Sequence, residues 1–482
     1  MLTRIEIDGF KSFTNFSMEF SPLTIIAGLN ASGKSNLFDA LHLLSLLAEH
    51  DLNTAFDKVQ RGSNLELFTQ YADGRHAEEM RFAVEMLVEP AVEDGGNWAQ
   101  LSSTSLRYEL VLARQINKHF DFEELVVISE WLAPVGMPND NHLREVEELL
   151  SSSETSEHPP FIKTESYHHR IARRMTGNKK QRTGFETMSA TLISDVNSVL
   201  HFPHVVAVQK EMSSWKVVHL DPRKLLLATP RQFFAWPGPL NASADNLAGV
   251  LFRISKTEEY LLIRIAQRLA SLVPGIKEFK VDNDDYSQRY RVWAITTAGQ
   301  RFPLHLLSEG TLRMLALCTL VFDPEQAGVL GLEEPENGVH PARLAGIAEL
   351  LRDLSHNEPA AEGAEPAPLR QVIVNTHSPG LVKACLAAVA EEGKAAGLTV
   401  WFSQLVSRSA TEDGKRVMRR VTDMLPVLLP NVPSELSAET VAALDPSQKK
   451  FALHQLIRYL ESTDPDHLLD QLDLVPPQPS AA

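Results

Sequence analysis

The chain has 482 residues, of which 44% are hydrophobic and 22% charged, a balance that belongs to globular domains rather than to disordered or fibrous chains. Its length leaves room for two or three domains with their own cores. A formal net charge of −16 excludes a protein that coats nucleic acid over its whole surface, but not one with a local basic groove. The two cysteines, Cys318 and Cys385, stand in apolar segments with no partner at metal-ligand spacing, so core thiols and a reducing compartment are expected. Residues 1–7 lack a signal-peptide core and no apolar run reaches bilayer length, so the expectation is a cytoplasmic protein without a membrane partner.

Residues 2–7 alternate and read as a strand, with 16–20 as its hairpin partner. The turn between them carries Lys11 flanked by Phe10 and Phe13; it is either a packed hairpin turn or a group near a bound phosphate. An apolar run then ends at Gly28, and an apolar helix starts near Lys34. Between them lies the G-x-x-x-x-G-K-[ST] spacing of a phosphate-binding loop. Gly28 and Gly33 permit backbone angles that turn successive N–H groups toward phosphate oxygens. The helix adds its positive end, Lys34 an ammonium for the β- and γ-phosphates, and Ser35 a hydroxyl for Mg²⁺. The spacing predicts a nucleoside triphosphate ligand.

Residues 80–88, 106–113 and 125–132 read as an antiparallel sheet beside this core. From about 134 the pattern breaks into polar loops, with a short acidic helix at 143–150. The basic stretch 168–182 follows, including His168, His169, Arg173, Arg174, Lys179 and Lys180. A solvated surface loop and a DNA phosphate-backbone contact are both open for it. Strands are expected at 215–220, 279–281 and 289–297, and helices at 246–254 and 258–272. Domain boundaries are expected to divide an N-terminal ATPase lobe (1–133), a polar and basic insertion (134–200), a second ATPase lobe (201–406) and a C-terminal hairpin and helical extension with its tail (407–482).

Three further motifs complete the pattern. Ser308, Glu309 and Gly310 open an apolar helix over 312–321. The apolar run 329–332 ends in the adjacent carboxylates Glu333 and Glu334, the arrangement of a Walker B strand, in which one holds Mg²⁺ and the next deprotonates the attacking water. A helix over 344–354 and an Ala/Glu/Pro-rich loop then lead to the apolar strand 371–374, which delivers His377 past its C-terminal end, where α/β sheets bind ligands. A hairpin at 398–406 and 416–422 and helix over 434–462 close the chain.

These four elements, in this order, resemble the RecF/SMC/OLD-like branch of ABC-type ATPases, the short AAA-family type without a long coiled coil. Residues 28–36 resemble its Walker A, 307–313 its signature motif, 332–337 its Walker B with the following D-loop, and 375–379 its histidine switch. The resemblance implies an α/β P-loop NTPase with an ABC-type nucleotide-binding head: a mixed sheet flanked by helices, an antiparallel β subdomain and an inserted helical region. It implies ATP and Mg²⁺ as cofactors, held by Gly28, Asn30, Ala31, Ser32, Gly33, Lys34, Ser35 and Asn36, with Ser35 and Glu333 on the metal. It implies Glu334 as catalytic base, His377 on the γ-phosphate, and Ser308 and Gly310 on the nucleotide of a second protomer. Two ATPs would then be sandwiched in a homodimer or a higher homo-oligomer. Walker B departs from the commoner Asp at Glu333, and the Q-loop glutamine has no fixed place, with Gln115 and Gln209 as candidates. The function this implies is an ATP-hydrolysing switch in DNA repair or anti-phage defence, with a separately encoded effector. The alternative is an ATP-stabilised oligomeric scaffold with little turnover and no direct DNA contact. A transport ATPase is disfavoured by the long span between Ser35 and Ser308.

Overall fold

The computed structural model describes residues 1–461 apart from 72, 118–121, 136–159, 166–169, 175–179, 185–188, 197, 232–235, 357–368, 392–396, 413–414 and 429–434. The expected acidic helix at 143–150, His168, His169, Lys179 and the tail lie outside the described residues.

In chain order the main elements are β1 (Leu2–Asp8), β2 (Phe16–Glu19), β3 (Leu23–Ala27), α1 (Lys34–Leu47), β4 (Glu79–Leu87), β5 (Ser105–Asn117), β6 (Phe122–Pro134), β7 (Ile162–Glu165), β8 (Arg170–Arg174) and β9 (Lys180–Gly184). They continue with β10 (Lys216–Val218), α2 (Leu247–Thr257), α3 (Glu259–Leu272), β11 (Ile276–Asp284), β12 (Arg289–Thr296), α4 (Glu309–Phe322) and β13 (Gly328–Glu333). The last are α5 (Leu344–Ser355), β14 (Arg370–Thr376), α6 (Pro379–Glu391), β15 (Leu398–Glu412), β16 (Lys415–Pro426) and α7 (Pro446–Glu461).

Two sheets dominate. The first has eight antiparallel strands in the order β9-β8-β7-β6-β5-β4-β1-β2. The second has the order β10-β13-β14-β3-β15-β16, with the first five parallel and β16 returning antiparallel at the edge. Its inner strands are buried on both faces, which is why they read as unbroken apolar runs. Alternate residues serve different cores. Ile26, Val329 and Ile373 face α1 and the eight-stranded sheet, whereas Ile25, Leu330 and Val374 face the layer holding α2 to α6. A Cβ on Gly331 would lie 2.6 Å from the Phe38 ring, so this glycine lets α1 settle directly on β13.

Three expectations change. The basic stretch is not a loop where it is described: β8 and β9 extend the eight-stranded sheet beyond β7, because cross-strand backbone pairing outweighs the polarity of the side chains. A boundary at 134 is crossed by the same sheet, and one at 406 falls inside β15, so residues up to 426 belong to the ATPase sheet. The C-terminal helix is two helices, Ala438–Ala443 and α7. Cys318 and Cys385 are free and buried, and burial pushes both thiols up to about 12, which leaves them unreactive. Among the described residues no helix is long and apolar enough to cross a membrane.

Candidate nucleotide site at the carboxyl edge of the parallel sheet

Parallel strands end on one edge, and that edge collects the polar residues the sequence singles out. Register sets Ile26, Asn375 and Glu333 in one row across β3, β14 and β13, with Val218 of β10 beside Leu332. The phosphate loop, Glu333, His377 and His219 therefore emerge side by side, at the place where open α/β sheets take ligands.

The loop from Gly28 to Gly33 is set by contacts with β15 and β16. Gly33 has φ +93 and a Cβ there would sit 1.8 Å from Thr422 Oγ1, so only glycine fits. Ser403 Oγ donates to the Ser32 carbonyl at 3.0 Å, while Ser32 Oγ is buried without a hydrogen-bond partner. Lys34 Nζ donates to the carbonyls of Gly28 and Leu29, both at 2.8 Å. Burial lowers its pKa, against the pull of Glu334 and Glu336. Asn30 and Ala31 are exposed at the loop crest. Asn36 turns the other way and donates to Ser12 Oγ at 2.6 Å, and Lys11 pairs with Asp39 on α1. The aromatic turn is thus a brace for the start of α1.

Ser35 and Glu333 meet through one amide. Asn375 Nδ2 donates to Ser35 Oγ at 3.4 Å and to Glu333 Oε1 at 3.5 Å, and Asn375 Oδ1 is buried without a partner. His219 Nδ1 lies 3.0 Å from Glu333 Oε2. Burial raises the Glu333 pKa, but hydrogen bonds from His219, Ser35 and Asn375 outweigh it and hold the carboxyl below its ordinary value. A hydroxyl and an ionised carboxylate form a hard oxygen donor set that fits Mg²⁺. Among the described residues no group of three or more His, Cys, Asp or Glu could hold a metal ion.

Glu334 follows with φ +46, outside the regions L residues favour. Its Oε1 is 2.7 Å from His377 Nδ1, its N–H donates to the Asn375 carbonyl at 2.8 Å, and Asn337 Nδ2 lies 3.5 Å from Oε2. The base and the histidine expected on the γ-phosphate are thus one hydrogen-bonded pair. Ser308 and Gly310 are not brought to the loop. Ser308 Oγ caps α4 by accepting the Thr311 N–H at 3.3 Å, and among the described residues no hydrogen bond or ion pair links 308–311 to 28–36. Ser308 is exposed, facing outward. Neither glutamine candidate reaches the site: Gln209 donates to the Ala48 carbonyl, and Gln115 is exposed on β5.

Sequence reasoning missed His219 and Thr422, and gave Arg313 no role beyond its place in the motif at 307–313. The signal for His219 was present, since it ends a short apolar strand as Glu333 and His377 do. Thr422 gave no signal, because its role is contact with a loop far away in sequence.

Strand order, loop and paired carboxylates define an α/β P-loop nucleotide-binding head. More particularly, the chain belongs to the AAA-domain family described as "AAA domain, putative AbiEii toxin, Type IV TA system", which matches residues 109–383. A second AAA-domain family matches residues 4–87, the part with the phosphate loop. The chain is similar to "DNA replication and repair protein RecF" of Acaryochloris marina (strain MBIC 11017), 39% identical over 69 residues, 14% of this chain and 18% of that protein. It is similar to the protein of the same name from Lactococcus lactis subsp. cremoris (strain MG1363), 38% identical over 58 residues, 12% of this chain and 16% of that one. These matches span less than a fifth of the curated relatives' length. Among solved structures it is similar to an SMC head bound to the C-winged helix domain of ScpA, with TM-score 0.49, 15% identity and coverage of 91% and 99% of the two chains. It is also similar to the SMC head domain from Thermotoga maritima, with TM-score 0.35, 14% identity and coverage of 89% and 99%.

Proposed function

We propose that the protein binds and hydrolyses ATP with Mg²⁺, and that two protomers close on two nucleotides as a switch. The observation that carries this is the His377–Glu334 pair, held at the sheet edge beside the Ser35–Asn375–Glu333 cluster. Lys34 and the loop N–H groups bind the phosphates, Ser35 and Glu333 hold Mg²⁺, which neutralises developing phosphate charge, and Glu334 takes the proton of the attacking water. His377 orients Glu334 and faces the γ-phosphate. The outward-facing Ser308 supports a signature motif completed by a second copy of the chain.

The switch works in DNA repair or in anti-phage defence, with a separately encoded effector. The repair role in the names of the RecF relatives supports the first setting. Strand register adds a location: Arg170–Arg174 and Lys180–Gly184, which carry the basic residues, pair as neighbouring strands at one edge of the eight-stranded sheet.

ATP turnover and mass by light scattering, for wild type and Glu334→Gln with and without DNA, test the reading. A mutant that binds ATP without turnover and accumulates a larger assembly is the expected result. Equal turnover in both proteins removes Glu334 as base. Absence of turnover in either, with one stable assembly, favours the scaffold. DNA stimulation that weakens with salt and is lost on charge reversal of Arg174 and Lys180 is expected.

A further inference from the structure

The signature helix touches the catalytic turn at two points. A Cβ on Gly310 would lie 2.9 Å from the Gly338 carbonyl oxygen, so the start of α4 rests on the backbone of the turn after β13. One helical turn later, Arg313 Nη1 donates to the main-chain oxygen of Glu334 at 3.4 Å. The guanidinium is half-buried, and its Nε is buried without a partner. Burial lowers its pKa, against the pull of the Glu309, Asp221, Glu336 and Glu334 carboxylates.

The peptide that Arg313 holds is the strained one. A non-glycine residue at φ +46 stays there only where its surroundings over-determine it. Four residues do so at Glu334: Asn375, whose carbonyl accepts its N–H; His377, on its carboxylate; Asn337, whose N–H donates to its carbonyl at 3.0 Å and whose Nδ2 lies 3.5 Å from Oε2; and Arg313, on the same carbonyl. The first two come from β14 and the residue after it, in the same sheet, and do not depend on α4. Only Arg313 belongs to the signature helix, whose outer start is the exposed Ser308.

We infer that Arg313 is a positioning residue that ties the signature helix to the main chain of Glu334, so that a ligand engaging Ser308 sets the catalytic carboxylate. The inference rests on the proposed role of Glu334 as base.

ATP turnover, ATP binding and urea denaturation of Arg313→Gln, Arg313→Lys, Ser308→Ala, the Ser308→Ala/Arg313→Gln double variant and Glu334→Gln test it. Arg313→Gln is expected to lower kcat roughly 10- to 100-fold with KM and denaturation midpoint near wild type. Arg313→Lys, which keeps a charged donor, is expected to recover part of the loss. The double variant is expected to lose no more than the worse single variant, since both changes cut one connection. Unchanged turnover in Arg313→Gln beside abolished turnover in Glu334→Gln overturns the inference alone, as do multiplying losses in the double variant. A fall in midpoint and ATP binding that matches the fall in kcat also overturns it, by making Arg313 structural. Wild-type turnover in Glu334→Gln removes the reading of the base, and this inference with it.

Discussion

His377 Nδ1 stands 2.7 Å from Glu334 Oε1, joining the residue after one strand to the residue after its neighbour. Both side chains are part-exposed, so the contact survives by geometry rather than by burial: β13 and β14 run parallel with Glu333 opposite Asn375. His377→Ala is expected to lower kcat by roughly 10²-fold while ATP binding persists, because Lys34 and the loop are untouched. Turnover and nucleotide binding measured on the same preparation check this; equal loss of both would make His377 a binding residue.

Gly33 has no room for a side chain. At φ +93, with Thr422 Oγ1 1.8 Å from a Cβ, Gly33→Ala must displace either the loop or β16. The expected cost is about 1–3 kcal/mol of stability together with most of the ATP affinity. Adding Thr422→Ala relieves the contact with the hydroxyl but not the backbone strain, so recovery is partial. Urea denaturation with a fluorescent nucleotide analogue reads both.

Glu336 is a buried carboxyl that the chemistry does not use. It accepts a hydrogen bond from Thr376 Oγ1 at 2.5 Å, Thr376 Oγ1 accepts the Ser378 N–H at 2.9 Å, and the two threonine contacts bracket His377. Its other oxygen has no partner. Burial pushes its pKa above the ordinary 4.5, with Thr376 opposing. The stability it contributes is therefore full below about pH 4.5 and is lost as pH rises through the raised value. Glu336→Gln, neutral at every pH, is expected to match or exceed wild type at pH 8, while Glu336→Ala loses about 2 kcal/mol. Denaturation midpoints at pH 5 and pH 8 decide it; a Gln variant less stable at pH 8 than at pH 5, relative to wild type, contradicts the assignment.

On the outer face of the eight-stranded sheet Arg107 bridges Glu6, Glu85 and Glu109. The Arg107 hydrogen bond holds Glu6 below its ordinary 4.5, with burial opposing. Its contribution is present above about pH 4.5 and fades as pH falls through the lowered value. Arg107→Met is expected to cost about 1 kcal/mol at pH 7. The gap from wild type should close toward pH 3, as a pH series of denaturation curves will show.

The sequence by itself determined the local chemistry. A strand–loop–helix with G-x-x-x-x-G-K-[ST], and apolar runs ending in Glu333, Glu334 and His377, were legible because each depends on neighbours within about ten residues. Most strands and helices of the ATPase lobes followed from the same short-range periodicity. What tertiary structure alone decided is how these pieces meet. Parallel pairing across distant segments set Asn375 between Ser35 and Glu333, and brought His219 from a weak three-residue strand onto the same carboxylate. Thr422 against Gly33, and Arg313 on the Glu334 carbonyl, are contacts between segments whose spacing carries no periodic signal. The basic ribbon β8–β9 was illegible as strand because its side chains are polar, and backbone pairing with β7 supplied what composition did not show.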